Sequence, residues 1–259
     1  MTDTKTLVEI EDLKVHFGGV HAVDGVSFTI AKGSLCGLVG PNGSGKTTLV
    51  NAISGLVHAT AGEVHIDGLS FDPLTAPQRA RAGVRRTFQA IRLLPRLTVL
   101  ENVMLGADES RHLLQPVFRP LHAARAQRKS RAAALASLER VGLSHAAHES
   151  PGALPYGHQR RVEIARALAC GPQLLLLDEP VAGMSANERE EIAQLLLSLK
   201  DEGLTQLLIE HDLGLVTRIT DHLIVMDFGR VIADGDPDKV TLEEHVKEAY
   251  LGRRHNTVA

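Results

Sequence analysis

Apolar and polar positions fall along this chain in alternating blocks, solid runs and helical stretches. Residues 7–16 and 23–31 alternate on either side of Gly18-Gly19, the pattern of an antiparallel hairpin. Residues 63–67 predict another short strand before Gly68. Apolar runs at 35–39 and 174–177 read as buried strands, the latter on both faces, and 204–209 and 223–226 as further strands. Helical spacing lies between them, at 47–54 (stopped by Gly55), 186–199 and 213–219. Strands and helices in alternation predict a mainly parallel sheet with right-handed crossovers, hence an α/β fold. From about residue 91 to 169 the character turns helical. Within it, 121–141 is rich in Ala and Arg, with Leu135 and Leu138 on one face and Glu139 and Arg140 outside. Phe228-Gly229-Arg230 predicts a hairpin turn and 242–250 a final helix. No internal repeat is present. The expected layout is one cassette: residues 1–90 and 171–259 as a core with an antiparallel β subdomain, and 91–170 as an inserted helical subdomain.

Two segments add chemistry. Gly40–Thr48 reads GPNGSGKTT and fits G-x-x-x-x-G-K-[ST] between a strand and a helix. Glycine lets backbone N–H groups approach phosphates closely. Gly40, Pro41, Asn42, Gly43, Ser44, Gly45 and Thr48 form the expected phosphate loop. Lys46 sets a cation against the β and γ phosphates, and Thr47 offers a hydroxyl to Mg²⁺. The second segment, residues 174–180, reads LLLLDEP. Its acids emerge at the carboxyl end of a buried strand, where ligands bind in open α/β sheets. Asp178 is placed to hold Mg²⁺ and Glu179 to polarise an attacking water. ATP and Mg²⁺ are the expected cofactors.

These motifs, in this order, resemble the ATP-binding subunits of ABC transporters over nearly the whole chain. LPYGHQRRVEIARAL, residues 154–168, is similar to the Leu-Ser-Gly-Gly-Gln signature and its helix. TFQ ends on Gln89, like the Q-loop that links the Mg²⁺ site to the membrane subunits. LLIEHD places His211 where the family has its switch histidine, and AGMSAN stands where the D-loop belongs. Phe17 stands where an aromatic stacks on adenine. The resemblance implies that Glu179 is the general base, that His211 senses or stabilises the γ-phosphate, and that Gln89 joins Thr47 and Asp178 around Mg²⁺. It also implies a head-to-tail pair with a second ABC ATPase subunit, homo- or heterodimeric. Each ATP then lies between one P-loop and the other chain's signature, where Gly157 donates its N–H. Pro155 departs from the family's Ser and His158 from its Gln. DEPVAGM, LLIEHDLGLV, MDFGRVIADG and EAYLG narrow the likeness to the ATPases of branched-chain amino acid importers, as does the Arg- and Ala-rich insertion after Gly106. Subunits for urea, short amides or lipopolysaccharide share parts of the pattern. The family further implies transmembrane permease subunits, a periplasmic or extracellular solute-binding protein, and a place on the cytoplasmic face of the cell membrane. Leu93, Leu94, Leu97 and Val99 are candidates to line the permease groove.

Composition narrows the alternatives. Net charge is −3, aromatics are 3% and Trp is absent, which argues against a nucleic-acid surface with stacking platforms. Cys36 and Cys170 lie in apolar runs without a CxxC pair, as in a reducing compartment. No apolar run approaches a membrane span and MTDTKTLVEIEDL is not a signal peptide, so a soluble chain is expected. A chromosome ATPase of the superfamily needs long coiled coils, and too few residues separate Gln89 from Leu154. A translation factor of this type normally carries two cassettes, and one is present. Arg125, Arg128, Lys129 and Arg131 read as a solvated helix face. His145 and His148, three apart, find no converging Cys or carboxylate and are not read as a metal site.

Overall fold

The alternation near the start builds a hairpin of β1 (Thr6–Phe17) and β2 (Val20–Ala31), with Gly18 left-handed at the turn. Its buried positions change phase: Val8 and Ile10 face the core, then Leu13 and Val15. Such a slip needs an extra residue, and the register shifts between Ile10 and Leu13, where Asp12 takes φ 43°. β3 (Leu35–Val39) follows, then α1 (Lys46–Ile53). Gly55 ends α1 at φ 75°, its N–H on Ala52 O and that of Leu56 on Asn51 O, a Schellman closure. β4 (Ala61–Ile66) and β5 (Leu69–Ser70) complete an antiparallel sheet of order β2-β1-β4-β5.

The computed structural model describes residues 5–107 and 120–251. After β5 the chain forms α2 (Ala76–Arg81), β6 (Val84–Arg86), α3 (Val99–Ala107) and α4 (Pro120–Arg140). Two 3₁₀ turns, Ser144–Ala146 and Pro151–Ala153, lead to α5 (Tyr156–Leu168). Strand and helix then alternate: β7 (Leu174–Asp178), α6 (Ala186–Asp201), β8 (Thr205–Ile209), α7 (Leu213–Ile219), β9 (His222–Asp227) and β10 (Arg230–Gly235). Short α8 (Pro237–Val240) and α9 (Glu244–Leu251) finish the described chain. The second sheet has the order β10-β9-β3-β8-β7-β6. β9, β3, β8 and β7 pair in parallel, and β10 returns antiparallel on β9. Leu174–Leu177 are fully buried, as two-sided cover of a parallel strand requires.

The described residues divide into two compact units. One takes in the chain up to Val84, Leu174–Glu179 and everything from Leu196; the other is Arg85–Gln173 with Pro180–Leu195. Residues 180–195 thus group with the helical part, whereas the sequence placed them with the core. The helical stretch starts at Val99, not residue 91, because 91–98 has no regular structure. On α4 the buried face is Ala134, Ser137 and Leu138; Leu135, one position off that stripe, is exposed. Arg125, Arg128, Lys129 and Arg131 are all exposed, as a solvated face should be. Val99 is fully buried core, which removes it from the groove candidates; Leu94 is exposed, and Leu93 and Leu97 half-buried. Cys36 is buried, and burial pushes its thiol up. Cys170 is half-buried and accepts from Arg85 Nε, so its setting is polar rather than apolar. No helix among the described residues is long and apolar enough to cross a membrane.

Candidate functional site

The loop between β3 and α1 can be built only from glycine at its two ends. Gly40 has φ 150°, and a Cβ there would meet Met226 O at 2.1 Å. Gly45 has φ 104°, and a Cβ would meet Ala22 O at 2.3 Å. The loop wraps around its lysine. Lys46 Nζ donates to Gly40 O at 2.7 Å and Pro41 O at 3.0 Å, with Ser44 Oγ at 3.4 Å. Ser44 is fully buried, and its carbonyl accepts the Gly229 N–H at 2.9 Å from the β9–β10 turn. In α1 the N–H groups of Lys46, Thr47 and Thr48 precede the first helical bond, Leu49 N to Gly45 O. These N–H groups and the helix dipole converge where an anion would sit.

That point opens into a cleft of about 380 Å³. Asn42, Gly43, Ser44, Gly45, Lys46, Thr47 and Thr48 form its floor and Glu179 one wall. Val20, His21 and Ala22, with the adjoining Phe228 and Gly229, complete its lining at the lip. Register explains the wall. Asp178 pairs with Ile209, and Ile209 with Leu38, so the carboxyl ends of β7, β8 and β3 stand side by side. Asp178 is buried at the end of β7. Glu179 follows at φ 45°, its N–H on Ile209 O at 3.0 Å. A non-glycine residue held left-handed costs about 1–3 kcal/mol, and such strain collects at working sites. The bend separates the two acids, one into the strand end and one onto the cleft. Thr47 lines the floor, whereas Asp178 lies outside the lining; a hydroxyl and a carboxylate are hard oxygen donors of the kind Mg²⁺ takes.

Not every expected residue joins this cleft. Gly40 and Pro41 stand behind the floor, where Lys46 holds their carbonyls. Phe17 ends β1 exposed and is not part of the lining. His211 follows β8, largely exposed, with its N–H on the buried Glu210 carboxylate at 3.3 Å. It too is outside the lining. Gln89, Pro155 and Gly157 belong to the other unit. The sequence missed Phe228, which was read only as part of a turn; its φ of 43° and 75% exposure set its ring at the lip.

Within the second unit, α5 carries a buried charge network that the sequence also missed. Arg160, fully buried, donates from Nη1 to Phe88 O at 2.6 Å and from Nη2 to Gln89 O at 2.6 Å. It also reaches Glu163 at 2.9 Å. Glu163 further accepts from Arg92 N–H at 2.8 Å and Arg166 at 3.2 Å. Burial pushes the Glu163 carboxyl up, against those hydrogen bonds and cations. Arg160 therefore fixes the backbone of the residue expected to be the Q-loop glutamine. The only signal was two opposite charges at i, i+3 inside the signature helix. Arg160→Ala is expected to destabilise the chain by about 3–5 kcal/mol, because Glu163 loses its buried counter-charge. Urea unfolding measures it; a loss under 1 kcal/mol would contradict the network's role.

His145 and His148 are both exposed. Among the described residues the one three-residue group with metal-ligand atoms in reach is His16, His21 and Asp24. Its imidazoles are stacked at 3.9 Å and 14°, so their in-plane lone pairs run nearly parallel and do not converge. Asp24 is tied to Arg230 at 2.7 Å, whose hydrogen bond holds its carboxyl below the usual range. The group is an ion-paired hairpin end beside the cleft.

Comparison with known proteins agrees with this geometry. The family profile described as ABC transporter matches residues 23–182. The chain is 38% identical over 254 residues to the high-affinity branched-chain amino acid transport ATP-binding protein BraF of Pseudomonas aeruginosa, covering 96% of this chain and 99% of that one. It is 37% identical over 257 residues to LivG of Escherichia coli K12, described in the same words, with the same coverage. Among solved structures, a nucleotide-free ATP-binding cassette from an ABC transporter superposes with a TM-score of 0.84 at 34% identity, covering 96% of this chain and all of that one. The ADP conformation of such a cassette gives the same values.

Proposed function

The chain belongs to the ABC transporter family, and we propose that it is the ATP-hydrolysing subunit of an importer for branched-chain amino acids. Hydrolysis rests on one observation above the rest: Glu179 is held in a strained conformation on the wall of a cleft floored by a phosphate loop. The cargo rests on the BraF and LivG relatives, whose described role is branched-chain amino acid transport.

In this reading ATP lies in the cleft with its phosphates on residues 43–48 and its base near the lip, where Phe228 stands; Phe17, outside the lining, is the aromatic that the family likeness implies. Lys46 exchanges its loop carbonyls for the β and γ phosphates. Glu179 takes the proton of a water as that water attacks the γ phosphorus. The bond to the β–γ bridging oxygen breaks and ADP leaves as the electron pair's acceptor. Thr47 and Asp178 would hold Mg²⁺, which would neutralise phosphate charge when bound; Gln89 is the further ligand that the family likeness implies. His211 steadies the γ-phosphate on the same side. The chain works as a pair with a second cassette on the cytoplasmic face of the membrane, beneath two permease subunits, and a solute-binding protein delivers the cargo. Purification through a tag on this chain from native membranes is the test: permeases and a second cassette should accompany it, whereas ribosomes or DNA would overturn the assignment.

Pro155 makes the pair asymmetric. Proline suits a helix start but has neither a hydroxyl nor an N–H, and α5 begins without a side-chain cap. The loss falls on the nucleotide of the second cassette, not on this chain's own. Pro155→Ser is expected to speed hydrolysis in the complex, with the gain abolished when the second cassette's phosphate-loop lysine is also removed. An unchanged rate would refute the asymmetry.

A further inference from the structure

The start of α5 is engaged by a residue that no part of the reading above uses. Gly157 N donates to Glu188 Oε1 at 3.2 Å. The other oxygen of that carboxylate accepts from Ser185 N at 3.0 Å and Ser185 Oγ at 2.8 Å. Glu188 stands in the first turn of α6, so it closes the start of its own helix in a Ser-x-x-Glu capping box. One carboxylate therefore bridges the beginnings of two helices. The approach is close: a Cβ on Gly157 would lie 3.0 Å from Glu188 Oε1 and 3.2 Å from its Cγ and would crowd that side chain. Those hydrogen bonds, Ser185 first, hold the Glu188 carboxyl below its ordinary range, so it is charged at neutral pH.

Resting on the paired-cassette reading, we infer that Glu188 is a positioning residue that competes with the second cassette's nucleotide for the Gly157 N–H. Pro155, at the cap of α5, has no N–H, and Gly157 in the first turn is a backbone donor with a partner to give up. A γ-phosphate arriving there meets a carboxylate on the same N–H. Two anions cannot share one donor in a site that excludes water, and the carboxylate must withdraw before the pair closes. It withdraws onto Ser185, where its second oxygen is already bound. Closure thus waits on a filled nucleotide site in the second cassette, and Glu188 sets how much ATP that takes.

The test uses the complex purified through this chain and reads the ATP concentration at half-maximal hydrolysis. Glu188→Gln removes the charge at nearly constant shape. Glu188→Asp keeps the capping box but is one carbon too short to reach Gly157. Both variants should lower the half-maximal ATP concentration by about tenfold, the lower end for one hydrogen bond to a charged group. The rate at saturating ATP and the affinity of this chain's own phosphate loop should stay unchanged. A merely structural cap would instead lower thermal stability and leave the ATP dependence alone. An unchanged or increased ATP requirement in both variants overturns the inference while the wild-type rate upholds the function. If the wild-type complex does not hydrolyse ATP, the paired-cassette reading fails and this inference with it.

Discussion

Replacing Glu179 by Gln is expected to slow hydrolysis at this chain's site by two or more decades while ATP still binds with near-normal affinity. General bases contribute about 10²–10⁴-fold, and the amide keeps the size of the carboxylate but not its basicity. The backbone supports the separation. Glu179 owes its place to an N–H bond on Ile209 O and to φ 45°, neither of which involves the carboxylate. The phosphate loop is built without it. Binding and chemistry should therefore part, and with ATP bound but not cleaved the closed pair should accumulate. Phosphate release from the purified complex reads the rate, and calorimetric titration reads the affinity. Normal turnover with Gln at this position would mean that another group is the base.

The second large effect is on binding. Lys46→Ala removes the cation that meets the β and γ phosphates, a contact worth about 1.5–3 kcal/mol, so ATP affinity should fall about 10- to 150-fold. The same ammonium holds the carbonyls of Gly40 and Pro41 at 2.7 and 3.0 Å. The variant also loosens the loop, which adds to the loss and lowers stability. Comparing ATP with AMP separates the two. A missing phosphate contact penalises ATP selectively, whereas a collapsed loop penalises both. Unchanged ATP affinity would contradict the phosphate-loop assignment.

How much of this was legible in the sequence depends on whether the cause is local. The four leucines of β7, the alternation of β1 and β2 and the stop at Gly55 each state their own structure through periodicity or backbone freedom. The bulge at Asp12 was not read: 7–16 passes for a single alternation until Ile10 and Leu13 both prove buried across a register shift. What stayed hidden depends on partners far along the chain. Arg160 reads as one more charge on a polar helix until Phe88 and Gln89 fold back onto it. Glu188 is an ordinary capping residue until Gly157 arrives 31 residues away. The side to which Leu135 falls follows from a shift of one position on α4, which composition does not specify. In the cleft, motif matching recovered the floor and the acidic wall. The lip went unread, because Phe228 comes from the β9–β10 turn and His21 from the start of β2, which no motif joins.

The most direct test of the account is uptake of radiolabelled leucine by proteoliposomes holding the complex purified through this chain, with ATP on the side of the cassettes and binding protein on the other. The account expects leucine to accumulate with the wild-type chain and uptake to collapse with Glu179→Gln, in step with phosphate release. Equal uptake by both, or ATP hydrolysis by the wild type that moves no branched-chain amino acid, would contradict it.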